Sequence, residues 1–101
     1  MAKNDKKAAT ARSGAVEIVQ QVLGEGAYTN IAVNKYLRSH ELSDMDRRLM
    51  TELVYGTVKA VGTIDWYLQQ CVTRSLDKID KLVLSILRIS VYQLLYMDKI
   101  P

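Results

Sequence analysis

The stretch from Ile79 to Met97 constrains the fold more than any other part of this 101-residue chain. Thirteen of its 19 residues are apolar. Set on a helix at about 100° per residue, Asp80, Lys81, Ser85 and Arg88 share one narrow polar stripe, and most of the remaining circumference is Leu, Ile, Val, Tyr or Met. A helix apolar on so many sides belongs at the centre of a bundle with neighbours packed around it. Burying one such side chain is worth ~1.5–3 kcal/mol, so leaving half of them wet would cost on the order of 10 kcal/mol. The sequence given ends at Pro101, just after this helix. The expectation is therefore a domain whose C-terminal helices are missing, or a chain that forms a homodimer through exposed helix 5.

A membrane-spanning reading fails on the residues. Asp80, Lys81, Arg88 and Gln93 interrupt the segment, and no apolar run approaches ~18–20 residues. The lysines near the start are followed by small and polar residues rather than an apolar signal core. A lone Cys71 fits a reducing compartment better than a secreted one. A cytoplasmic protein is expected, with no membrane partner. Hydrophobics at 49% are ample for a core, and one Pro with long helical periodicities and no alternating strand pattern indicates an all-α fold.

The formal net charge of +3 is not evenly spread. Residues 1–16 hold Lys3, Lys6, Lys7 and Arg12 against Asp5 alone, whereas from Glu17 onward Lys/Arg and Asp/Glu are equal at ten each. A localised basic arm suits an anionic partner, with Lys and Arg on phosphates giving affinity without base specificity; a solubilising leader is the other reading.

The pattern predicts a disordered basic leader over residues 1–6 and one helical domain over 7–101. Helix 1 is expected over Lys7–Leu23, stopped by Gly24 at a position of positive φ, with Arg12 on its polar side opposite Ala11, Ala15 and Val22. Thr29 or Asn30 caps helix 2, which ends near Ser39. Ser43 with Asp46 starts helix 3, whose expected stripe is Met45, Leu49, Leu53, Val54, Val58 and Val61. Gly62 breaks it and Thr63 caps helix 4, with Ile64, Tyr67, Leu68, Cys71 and Val72 on the inner face. Asp77 is expected to cap helix 5, with Asp80 at its third position.

Catalytic and metal-binding constellations are absent from the sequence. His40 stands alone, in an expected exposed loop, and Cys71 falls on an apolar helix face as a buried, inert thiol. Gly24 and Gly26 form only a turn, too short for a dinucleotide loop. Arg88, in the middle of the central helix, should pair with an acid on helix 3, either Glu52 or Asp46. Gln93 projects away from the polar stripe and, if buried, needs a hydrogen-bond partner. Of the six tyrosines and Trp66, most fall on expected core faces, and Tyr28 is the one expected to be exposed and able to stack on single-stranded RNA bases.

Several strings carry a resemblance: Gly26-Ala27-Tyr28-Thr29-Asn30, Asp46-Arg47, Thr51-Glu52-Leu53-Val54-Tyr55-Gly56-Thr57, and the run from Leu87-Arg88 through Tyr92-Gln93-Leu94-Leu95-Tyr96 to Ile100-Pro101. In this order and spacing the chain, from about Arg12 to Pro101, resembles the N-terminal NusB-like domain of bacterial 16S rRNA cytosine-C5 methyltransferases (the Sun/Fmu, or RsmB, family). The resemblance implies a NusB-type all-α bundle that binds RNA, 16S rRNA in particular, ahead of a separate catalytic domain. That domain uses S-adenosylmethionine and paired cysteines, and none of it is present here. Cys71, in Gln-Cys-Val-Thr, does not match the catalytic cysteine contexts. By the same resemblance the end of helix 3 lies toward RNA, which adds Lys59 to Lys3, Lys6, Lys7 and Arg12 as expected RNA-binding residues. Two other functions stay open: a NusB-type antitermination factor binding leader RNA with ribosomal protein S10, and a helical protein-interaction domain. No cofactor, metal or catalytic residue is assigned to this chain.

Overall fold

The computed structural model describes residues 6–99; Lys3 and the leader up to Asp5 lie outside the described residues, as do Ile100 and Pro101. Five α-helices dominate: α1 (Ala11–Val19), α2 (Thr29–Ser39), α3 (Asp44–Lys59), α4 (Val61–Cys71) and α5 (Lys81–Tyr96). A π turn (Gln20–Gly24) prolongs α1, and a short 3-10 turn (Leu76–Lys78) precedes α5. The all-α expectation holds with one addition. Two-residue strands β1 (Lys7–Ala8) and β2 (His40–Glu41) pair in parallel, Lys7 opposite His40 and Ala8 opposite Glu41. Helix 1 therefore starts four residues later than expected. Thr10 is its cap, accepting from the Ser13 amide at 3.2 Å while the Ser13 hydroxyl accepts from the Thr10 amide at 3.1 Å. Satisfying both orphan amides fixes the start of the helix and leaves Lys7–Ala8 free to pair elsewhere.

Other boundaries also move for local reasons. Gly24 stays inside the π turn, and Gly26 takes the left-handed conformation at φ 80°. Ser43 caps α3 as expected, its hydroxyl accepting from the Asp46 amide at 3.1 Å. The break before α4 comes at Ala60, not Gly62, and no side chain caps it. Ala60 still donates to the Gly56 carbonyl and accepts from Ile64, so α3 and α4 are one rod bent at a single residue. Asp80, rather than Asp77, caps α5, with Oδ2 accepting from Leu82 and Val83 at 3.0 and 3.2 Å.

Two apolar clusters form. The larger joins Ala15, Ile18 and Val19 of α1 with Val33 and Tyr36 of α2, Met50, Leu53 and Val54 of α3, and Ile89 of α5. The smaller consists of Ile64, Leu68 and Leu84. Tyr92 packs against both. The buried stripe of α3 is Met50, Leu53, Val54 and Thr57, so the expected Met45 is wrong: it is 77% exposed in the first turn, while Leu49 and Val58 are half-buried. Gly14 lets Met50 and Tyr36 close on α1, because a Cβ there would stand 2.6 Å from the Met50 sulfur and 2.9 Å from the Tyr36 ring. That close approach lets Met50 fill the space beside α1.

Helix α5 is central, but it is turned the unexpected way. Three of its polar residues face the bundle, while Lys81 and Ser90 stay exposed: Ser85 and Gln93 are buried and Arg88 is largely covered. Each has an internal partner. Ser85 donates to the Lys81 carbonyl at 2.9 Å, Gln93 to the Ile89 carbonyl at 3.3 Å, and Arg88 holds Asp65 of α4 bidentately at 2.9 and 2.8 Å. The pairing expected with Glu52 or Asp46 is thus corrected to Asp65, which α4 presents along α5; Asp46 stays in the first turn of α3. Leu82, Val83, Ile86 and Leu94 face outward instead. Cys71 and Tyr67 are exposed too, contrary to expectation, because α4 buries only the Ile64–Leu68 edge.

Candidate nucleic-acid interface

Lys7 and Ala8 are held by main-chain pairing with His40 and Glu41. The partner strand follows directly on α2, so Lys6 and Lys7 are displayed exposed beside the last turn of that helix, which carries Arg38. His40 is half-buried rather than a free loop residue. Its ring stacks on Tyr36 at 3.7 Å with a 2° tilt, and its Nδ1 lies 2.9 Å from the Ser39 hydroxyl and 3.1 Å from the Tyr36 carbonyl. The Tyr36 phenol has its pKa raised by burial, partly offset by a hydrogen bond with Ser13, and raised further by the Glu17 charge. His40 is thus part of the support for the β1–β2 pair.

Arg12 does not stand free on the outer face of α1. It is half-buried, and its Nε and Nη2 donate to Gln93 Oε1 at 3.0 and 2.7 Å. One carbonyl oxygen taking two guanidinium donors fixes the planar group while leaving it a full positive charge. Lys59 is exposed at the end of α3 and lines a groove of about 420 Å³ with Gly56, Ala60, Thr63, Tyr92 and Tyr96. Arg12 thus meets α5 at Gln93, and Lys59 lines a groove with Tyr92 and Tyr96 of the same helix. Tyr92 has its pKa raised first by burial and then by the neighbouring Glu52 carboxylate.

Tyr92, Tyr96 and Gln93 were not legible in the sequence as parts of a surface. Their i, i+1 and i+4 spacing on one helix was visible, but which side of α5 would face Arg12 was not. Tyr28 is 75% exposed, as expected, and Tyr55 and Trp66 are exposed as well. A cleft of about 390 Å³ between the π turn and α5 reaches Arg88, whose charge Asp65 already neutralises. Among the described residues no three His, Cys, Asp or Glu side chains come together as a metal site, and no helix is long and apolar enough to cross a membrane.

Comparison with known proteins bears on this geometry. The NusB family model matches residues 9–101. The chain is 36% identical over 95 residues to a probable ribosomal RNA small subunit methyltransferase B of Bacillus subtilis (strain 168), covering 94% of this chain and 21% of that protein. A protein of the same description from Synechocystis sp. (strain ATCC 27184 / PCC 6803 / Kazusa) is 36% identical over 92 residues, covering 91% and 21%. The transcription antitermination protein NusB of Coxiella burnetii (strain Dugway 5J108-111) is 32% identical over 69 residues, covering 68% and 50%. No solved structure matches. The chain spans about a fifth of the methyltransferases it resembles. With the family model spanning nearly all of the sequence and the five helices in place, the chain belongs to the NusB family.

Proposed function

We propose that this chain is the RNA-binding module of a cytoplasmic 16S rRNA (cytosine-C5) methyltransferase, positioning rRNA for a separate S-adenosylmethionine-dependent catalytic domain. The observation that carries the reading is the reach of the similarity, which extends over 94% of the chain for the methyltransferase and 68% for the antitermination protein. The basic groups supply the chemistry. Lys7 is presented by a paired strand with Lys6 exposed just before it, Arg12 is fixed on Gln93, and Lys59 stands exposed, so phosphates meet pre-positioned cations. Lys3 extends the arm in sequence.

The chain alone should neither bind S-adenosylmethionine nor methylate RNA, since its described residues contain no βαβ unit to cradle the cofactor. Calorimetry with the cofactor checks this, and micromolar binding would refute it. The RNA assignment is tested by salt titration of rRNA-fragment binding. Changing Lys3, Lys6 and Lys7 to Ala should weaken binding and reduce the salt slope by about 0.7–0.9 for each phosphate that is no longer neutralised. An unchanged affinity and slope would make the arm a solubilising leader. The antitermination reading is favoured by the Coxiella match, and it predicts instead that leader RNA binds tightly only with ribosomal protein S10 present.

A further inference from the structure

The groove at the C-terminal turn of α5 has the makings of a specific subsite, an inference that rests on the RNA reading above. Gly56 forms its floor, and Tyr92 lies so close to this residue that a Cβ would overlap the ring carbons and the hydroxyl. Tyr92 is thereby pinned. Tyr96, one turn further along, is 49% exposed, and its ring centre lies 5.4 Å from that of Tyr92 with a 30° tilt. The two rings make a stepped wall with an open aromatic face. Lys59 lines the same groove with no ion pair among the described residues, and so does Thr63 with its hydroxyl. The Glu52 carboxylate sits beside Tyr92, so an anionic ligand group is repelled there and belongs at the Lys59 end.

A flat aromatic surface with one adjacent cation matches a planar base carrying a phosphate. Bases inside a duplex hide their faces by stacking on each other, so the matching group is unpaired. Arg12, docked one residue from Tyr92 on Gln93, joins the basic arm to the same turn of helix. We propose that this groove seats one unpaired nucleotide of a bound RNA strand, with its base stacked on Tyr96 and its phosphate on Lys59.

The test compares binding of a short uridine-rich single strand and a blunt duplex of equal length, by fluorescence anisotropy on the full chain. Tyr96→Leu should weaken single-strand binding about 5- to 100-fold, the contribution of one stacked base, and leave the duplex unaffected. Tyr96→Phe should bind as the parent does, and Lys59→Ala should lower the single-strand salt slope by about 0.7. Unchanged single-strand affinity in Tyr96→Leu, or an equal loss for the duplex, overturns the proposal while leaving the RNA reading standing. If neither RNA binds at low salt, the RNA reading fails by itself. The groove is then judged by titrating uridine monophosphate while following the ring resonances of Tyr96. Saturable shifts that Tyr96→Leu abolishes uphold a nucleotide site, and their absence overturns it.

Discussion

Gly56→Ala offers a sharp test of how α3 and α5 are packed, because two effects of opposite sign compete at one residue. On an open helix face this change stabilises by roughly 0.8–1 kcal/mol, through helix propensity alone. Here the added methyl would coincide with Cε1, Cζ and the hydroxyl of Tyr92, and the helix backbone cannot retreat without disturbing Leu53 and Val54, both fully buried. Overpacking of this kind costs about 1–3 kcal/mol, and overlap with two ring carbons and the hydroxyl oxygen puts the cost near the upper end. The expected net is a loss of about 1–2 kcal/mol, or a fall in melting temperature of about 4–16 °C for a domain of this size. Removing the obstacle should reverse the sign. In a Tyr92→Leu background, Gly56→Ala should be neutral or stabilising by up to about 1 kcal/mol, giving a coupling energy of about 1–3 kcal/mol. Urea titrations of the four proteins, with a common slope, measure this directly. Stabilisation by Gly56→Ala in the parent chain would refute the close packing of Tyr92 on Gly56.

Three further outcomes follow from the same geometry. Asp65→Ala should cost about 1–3 kcal/mol, between the values for exposed and fully buried pairs, because Arg88 is 14% exposed and would be left without its partner; Arg88→Met with Asp65→Leu should recover most of the loss in urea titrations. Tyr36 and Tyr92 both have raised pKa values, so their neutral forms are favoured by folding: their contribution is complete below about pH 10 and is lost as the pH rises through the folded values. Melts from about pH 8 to 11 should show that fall, and Tyr36→Phe should flatten it; an identical fall would tell against the assignment. The outward stripe of Leu82, Val83, Ile86 and Leu94 predicts concentration-dependent self-association at tens of micromolar that Ile86→Glu with Leu94→Glu abolishes, and light scattering showing a monomer in both would reject it.

What the sequence revealed was the set of elements, because helical periodicity and capping chemistry are local. Ser43 announced the start of α3, and α2 ended at Ser39 as its pattern suggested. Rotation of the helices about their axes was not legible. On α5, Ser85, Arg88 and Gln93 read as candidates for water until three separate partners are known: the Lys81 carbonyl, Asp65 on α4 and Arg12 on α1. Two of these are contributed from elsewhere in the chain, and the same information gap hid the Tyr92–Lys59 groove. Met45 was expected inward by spacing, whereas α3 buries Met50, which packs where Gly14 has no side chain. The β1–β2 pair is too short to show an alternation. Arg12 was found as a cation, but its docking on Gln93 depends on a hydrogen bond spanning 81 positions.

The bend at Ala60 divides the molecule energetically as well as geometrically. Beyond it, α4 is held to the rest by Ile64, Leu68 and Leu84, one ion pair and the shared ring of Tyr92, whereas α1 and α3 bury the larger cluster. Free energies of local opening track such differences in buried apolar packing. Helix α4 should therefore swing away about Ala60 as a separate cooperative unit, at a cost well below that of global unfolding. Its amides would exchange with solvent faster than those of α1 and α3, while the Arg12–Gln93 pair and the β1–β2 pair stay assembled. The wall of the groove that carries Thr63 would be the part that breathes.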